Sequence, residues 1–446
     1  MAKPPVRGMR TTTTKPNRKS KPMSQFEQLD IVAAYHAVSD TYLGTDVDIH
    51  ALCRQYRHNE PVMKGDFVDT YLKVPTNAGA KAAKATVTVF KHKDIMAIMR
   101  DAETYTNGFI AEGLGAFFDG LIILAMDGEQ HRRTRALLQP VFMPETVNKW
   151  RPEIDRVIRE DYLQPMVADK QANLMDFALD FPIRVMYALM GFPTSDTEKY
   201  KTYATWALAM VAGNQIDPEK AKIYGPLAGQ AAKHLYDGIK EVVVARRAQG
   251  TQETDLISRL INAEAEGRSL DDHEITTFVR SLTPAAGETT TRTFSCIMTN
   301  LMQRPELVER IRNDRSLIGK LIDEGIRHEP ISTFKVRQTS KEVEIGGIIV
   351  PKGGMVQCMT ISGNRDEDVF ENPDEFDIDR KVKPSFGFGF GPHMCIGQFV
   401  AKVELNCAIN AMLDLFPNMR LDPSKPAPRI SGGQLRGTRD IHVLWD

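Results

Sequence analysis

The sequence predicts a mainly α-helical fold with small β-sheets, and three observations carry that prediction. Apolar residues recur at helical spacing through most of the stretch from Gly128 to Asp323. Runs with strand character are short: "TVTVF" (Thr86–Phe90) and the alternating "EVEIGGIIVPKGGMVQC" (Glu342–Cys358), where paired glycines and Pro-Lys-Gly-Gly mark small hairpins. No internal repeat or low-complexity block divides the 446 residues.

Taken in order, residues 1–24 carry many Lys and Arg, no acid, and several Pro and Thr, so they cannot bury a core and read as a disordered basic tail. The prolines there spoil the amphipathic helix that an organelle-targeting peptide would need. Residues 25–446 form the single folded domain. A helix is expected from Gln25 to about Gly44, then a mixed segment from Asp66 to Phe90. A long helix begins near "SLDDHEI", with Ser269 as N-cap and Asp272 completing a capping box. Pro284 and Gly287 fall inside it; because proline withholds a backbone donor, the helix is expected to distort there, and two helices split by a loop are the alternative. "RPELVERIRND" and "SLIGKLIDEGIRHEP" continue the helical pattern.

Composition narrows the function. Hydrophobic residues make up 42% and charged residues 26%, with a net charge of −1, so nothing points to nucleic acid or an anionic membrane surface. The longest apolar run, "GLGAFFDGLIILAM", is broken by Asp119 and too short to span a bilayer. The five cysteines are scattered with no CxxC pair, which argues for a reducing compartment and against a disulfide framework. Histidines show no HExxH spacing, and no Walker A loop, GxGxxG fingerprint or GxSxG elbow occurs.

The informative stretch is "PSFGFGFGPHMCIGQFVAKVEL", Pro384–Leu405. Gly389 and Gly391 let the backbone turn tightly and approach a flat ligand. Phe388 can shield the Cys395 sulfur from water. Ala401, Leu405 and Ile409 follow at helical spacing, so a helix starts near Cys395 and its free amides would stabilise a thiolate. Such a dry, amide-bonded sulfur is a strong axial ligand for iron. A buried structural cysteine on a glycine-rich hairpin is the alternative reading of those residues alone.

The whole pattern, Phe388-Gly389-x-Gly391-x-His393-x-Cys395-x-Gly397 followed by Ala401 and Glu404, resembles the haem-binding signature of the cytochrome P450 family. Three further stretches resemble that family in the right order. Glu324-Gly-Ile-Arg327 is similar to its ExxR helix motif, and Arg380 in "NPDEFDIDR" matches the residue that completes a buried charge network with those two. Breaking such a network costs about 3–5 kcal/mol. "DGEQHRRTRALLQPVF" supplies His131 and Arg135 at the family's spacing for haem propionate ligands, with Arg337 at a third such position and His393 as a further candidate. "AAGETT", Ala285–Thr290, resembles the oxygen-activation motif: Thr289 matches its hydroxyl and Glu288 its proton-relay acid. It departs at Ala286, where the family usually has glycine, which touches the shape of the oxygen groove.

The resemblance implies the cytochrome P450 fold, with haem b between a long distorted central helix and the cysteine loop and helix. It implies a monooxygenase, an oxidoreductase that uses O2 and inserts one oxygen atom into a small or medium hydrophobic substrate. With no flavin or iron–sulfur module in the chain, electrons from NAD(P)H would arrive through a ferredoxin and its reductase, as in soluble, cytoplasmic bacterial members. Arg132, Arg133 and Lys402 are candidates for meeting the ferredoxin. Neither a membrane nor nucleic acid is expected as a partner, and a monomer is expected. A peroxide-driven peroxygenase and a haem-binding sensor or carrier without turnover are the alternatives. For the substrate pocket the family's position points to Phe109, Phe117, Phe118 and Ile122, with Ala285 from the central helix.

Overall fold

A computed structural model describes residues 30–76, 85–119, 122–192, 197–250 and 255–446. The basic tail of residues 1–24 and the first five residues of the expected leading helix lie outside the described residues. That helix itself runs Ile31–Thr41, capped by the Asp30 carboxylate, which accepts from the Ala33 amide at 2.7 Å.

One helix, Asp272–Met302, organises the molecule. It packs against the helices Phe181–Met190, Thr197–Ala212, Pro218–Gln249, Ile318–His328 and Gln398–Leu415. Most of its side chains are buried, as expected of a helix enclosed by neighbours. Its cap differs from the sequence expectation. Asp271, not Ser269, is the N-cap: its carboxylate accepts from the Glu274 amide at 2.7 Å, and the Glu274 side chain accepts from the Asp271 amide at 3.1 Å. Ser269 is held two residues upstream in a short hairpin, paired with Glu264.

The helix continues through Pro284 as one element, so the two-helix alternative does not hold. Proline still withholds its donor from the Arg280 carbonyl one turn earlier. A Cβ at Gly287 would stand 2.4 Å from Ile183 Cγ1, so its missing side chain lets the Phe181–Met190 helix come close. Around this contact Phe177 and Phe181 stack at 4.3 Å, and Phe294 meets Phe181 edge-on at 6.0 Å.

The β-structure is small. One five-stranded sheet has the order Val62–Lys64, Ala85–Val89, Met355–Cys358, Lys335–Thr339 and Tyr105–Thr106. Ala85–Val89 corresponds to the expected "TVTVF" strand, and Val343–Ile345 with Ile348–Val350 forms the expected hairpin. In Lys335–Thr339, Lys335 and Arg337 alternate with Val336, so the two basic residues share one face of the strand. No helix among the described residues is long and apolar enough to cross a membrane.

Candidate haem and substrate site

The cysteine loop is shaped by backbone bonds that its glycines permit. The Cys395 amide donates to the Phe388 carbonyl at 2.8 Å, Gly389 to Phe386 at 2.9 Å, and Met394 to Gly391 at 3.0 Å. Gly391 adopts φ +71°, and a Cβ on it would lie 2.2 Å from the Met99 carbonyl oxygen, so no other residue fits. Asn364 anchors the loop by accepting from the Phe386 amide at 2.7 Å. Gly397 then caps the helix Gln398–Leu415, and the amides of Gly397 and Gln398 both donate to the Cys395 sulfur.

The thiol nevertheless titrates higher than an ordinary cysteine. Burial pushes it up, and the Gly397 amide, Lys335, Arg135 and the Gln398 amide only partly offset that. The Gly397 and Gln398 amides, Lys335 and Arg135 all act on the sulfur in the direction that favours a thiolate, as the sequence anticipates.

The sulfur opens into a cavity of about 370 Å³ lined by the central helix, the cysteine loop and helix, and the Lys335–Thr339 strand. From the central helix come Ala285, Ala286, Thr289, Thr290 and Thr293. The Thr289 hydroxyl donates to the Ala285 carbonyl at 2.6 Å. Glu288 does not line the cavity. It is buried on another face of the helix, paired with Arg292, whose guanidinium also donates to Leu435 and Ser39 at 3.0 Å each. One helical step turns a side chain by about 100°, which separates Glu288 from Thr289. A different acid does reach the cavity. Glu404 is fully buried and in contact with the Thr290 hydroxyl, and desolvation pushes its carboxyl well above the usual carboxylate range.

Four basic residues were expected at the edge of a haem. Arg337 is buried and lines the cavity, with one hydrogen bond among the described residues, to the Val336 carbonyl at 2.8 Å. His393 also lines the cavity, and its ring packs on His131 with centroids 4.1 Å apart. Burial lowers the pKa of both imidazoles, His393 to about 3. His131 Nε2 is buried without a hydrogen-bond partner among the described residues. Arg135 does not line the cavity; it donates to the Met394 carbonyl at 2.8 Å and to Gln139 at 3.0 Å, bracing the cysteine loop.

These residues fit a haem. A sulfur opening into a cavity beside glycines without side chains, an orphaned imidazole nitrogen and an arginine with spare donors would otherwise be costly. Cys395 would take the iron, while Arg337, His393 and His131 would take its carboxylates.

Below the loop, Arg327 grips Glu324 with two bonds of 2.7 Å and donates to the carbonyls of Asn364 and Pro373 at 2.9 Å and Glu375 at 3.1 Å. Arg380 Nε reaches Glu324 at 3.4 Å. This buried network ties the Ile318–His328 helix to the segment leading into the cysteine loop.

Of the expected pocket residues, Phe109 and Ala285 line the cavity and Phe117, Phe118 and Ile122 do not. Phe118 is buried under the Arg280 guanidinium, 5.5 Å from its ring, Ile122 is core, and Phe117 leans toward Gly213. The cavity wall is completed by residues that sequence reasoning missed, among them Met99, Phe142, Leu282, Lys335 and Gln434. For Lys335 a signal existed: it stands two residues before Arg337 on a strand, which puts both on one face.

The family model described as Cytochrome P450 matches residues 79–437. The chain is 32% identical over 366 residues to the cyclomarin C epoxidase CymV of Salinispora arenicola, covering 80% of this chain and 90% of that protein. It is 30% identical over 361 residues to the erythromycin C-12 hydroxylase of Saccharopolyspora erythraea, covering 80% and 88%. Among solved structures, the open cytochrome P450 EryK from S. erythraea superposes with a TM-score of 0.75 at 26% identity, covering 91% and 97%. CYP109E1 from Bacillus megaterium in complex with testosterone shares the fold with a TM-score of 0.76 at 22% identity, covering 90% and 100%. Signature loop, charge network and family match agree along most of the chain, which therefore belongs to the cytochrome P450 family of haem b monooxygenases.

Proposed function

We propose that Cys395 is the axial ligand of haem b, and that the chain uses O2 and electrons from a ferredoxin and its reductase to oxygenate a small or medium hydrophobic molecule. The observation that carries this reading is that the Cys395 sulfur and the Thr289 hydroxyl border one largely apolar cavity. When bound, the haem supplies the redox centre at which dioxygen is reduced and split.

The chain's own residues do the rest. Arg337, His393 and His131 hold the carboxylate edge, and Phe388 and the glycine loop keep water from the sulfur. The Thr289 hydroxyl is one of the side-chain proton donors that the central helix offers to the cavity. For it to donate there it must release the Ala285 carbonyl. Glu404, in contact with Thr290 and with its carboxyl pushed up by burial, is a second candidate proton carrier at the wall. Glu288 would serve a relay only after leaving Arg292.

That pairing is the observation favouring the peroxide-driven alternative, which has less need of the relay. Turnover separates the two. NADH-dependent product formation with ferredoxin and reductase supports the proposal, and turnover with hydrogen peroxide alone supports the alternative. At the proposed docking face, Arg132 and Arg133 already pair with Glu129 and Glu266, and Lys402 with Asp323 at 2.7 Å. A ferredoxin would therefore have to exchange these exposed pairs for its own carboxylates, which costs little at such sites.

A further inference from the structure

Six titratable side chains line the cavity: Glu329, Lys335, Arg337, His393, Cys395 and Glu404. Both acids are spoken for. Glu329 accepts from Arg436 at 2.7 Å, Arg365 at 2.9 Å and His50 at 3.0 Å, and burial pushes the Glu404 carboxyl well above the usual carboxylate range, which disfavours its charged form. Lys335 makes no hydrogen bond and no ion pair with any described residue. The opposite charge that acts on it is the Cys395 sulfur, which the haem iron would take, so the ammonium is left facing mostly apolar walls, where charges are normally paired. The strain shows in its acidity: burial, with the nearby Arg337, lowers the Lys335 pKa to about 8.

Haem would bring two carboxylates, and Arg337 with the His393–His131 pair already accounts for them. Lys335 lies two residues further back on the same strand face, about 7 Å from Arg337. The surrounding wall, with Met99, Phe109, Phe142 and Leu282, is apolar. A single ammonium acts as a point charge, which suits one carboxylate; a phosphate dianion calls for more donors than this wall offers.

We propose that Lys335 anchors the carboxylate of an otherwise apolar substrate, so that the substrate class of this enzyme is monocarboxylic acids with a hydrophobic body. The inference rests on the haem-monooxygenase reading and deepens it.

The test uses the haem-loaded enzyme and a series of ω-(imidazol-1-yl)alkanoic acids of graded chain length, each with its methyl ester. The imidazole ligates the iron, so binding is read from the Soret shift without knowledge of the natural substrate. In the wild type, at least one acid should bind about 10-fold or more tightly than its ester. Lys335→Met should bring that ratio to about 1 by weakening the acid alone, and Lys335→Arg should retain a preference for the acid. Haem content and the ferrous CO spectrum of Lys335→Met should match the wild type. The proposal is overturned by a wild type that prefers no acid at any length, or by a preference that survives Lys335→Met. Loss of haem from Lys335→Met also overturns it, because Lys335 would then serve a haem carboxylate. A wild-type CO spectrum without the thiolate band defeats the underlying haem–thiolate reading instead, and is distinguishable from all of these.

Discussion

At the scale of single residues, the site is a competition between desolvation and a few well-aimed dipoles. Cys395 receives two amide bonds and still titrates high, because burial outweighs them. Burial also pushes the Glu404 carboxyl well above the usual carboxylate range and lowers the pKa of the Lys335 ammonium to about 8. Thr289 is the one residue of the "AAGETT" acid–alcohol pair that reaches the cavity, its hydroxyl parked on the Ala285 carbonyl. If that hydroxyl supplies protons, Thr289→Ala should keep haem and substrate binding but lower product formed per NADH by roughly 10²-fold. Parallel assays of NADH, product and released peroxide check this. Unchanged coupling would transfer the role to Glu404 or to water.

At the scale of elements, the central helix and the cysteine loop are placed by contacts that permit very little added bulk. Gly287 is the sharpest case. Alanine there would overlap Ile183, so Gly287→Ala is expected to destabilise the fold by about 1–3 kcal/mol, read by denaturant unfolding. A neutral result would mean that the two helices separate without cost. This is also where the sequence was hard to read. Gly287 was legible as an interruption, but its partner Ile183 lies about a hundred residues away and no local pattern names it. The cysteine loop was legible because its constraint is local: Gly389, Gly391 and Cys395 fold on one another within seven residues. The charge network of Glu324, Arg327 and Arg380 was legible from a family pattern. Glu288, by contrast, was placed by motif position, while the side chain answers to Arg292 one turn on. Phe117, Phe118 and Ile122 failed as pocket residues for a similar reason. An apolar residue in a loop near a cavity can equally face the core, and the sequence does not record which way it turns.

At the scale of the whole molecule, buried imidazoles set the response to acid. His328 accepts from the Arg365 guanidinium at 3.3 Å through Nδ1 and approaches the Asp374 carbonyl at 3.0 Å through Nε2, an arrangement only a neutral ring can make. Burial, then Arg365, lowers its pKa from 6.5 to about 3, and burial lowers His50 as well. Near pH 6.5 the unfolded chain binds protons on these rings and the folded chain does not, so acid favours unfolding. Stability should fall as pH drops below 6.5, by up to about 1.4 kcal/mol per pH unit from His328, until its folded pKa of about 3 is approached. His328→Gln, which keeps one donor and one acceptor, should flatten the slope of unfolding free energy between pH 6.5 and 4. An unchanged slope would show that other groups carry it.

The central claim, that the Cys395 sulfur holds the iron, meets its most direct test in the ferrous CO-bound spectrum of the haem-loaded protein, wild type beside Cys395→His. The wild type should show the red-shifted Soret band of thiolate ligation, and the variant should hold haem without that band. A wild type lacking the band, or a variant that keeps it, would contradict the assignment.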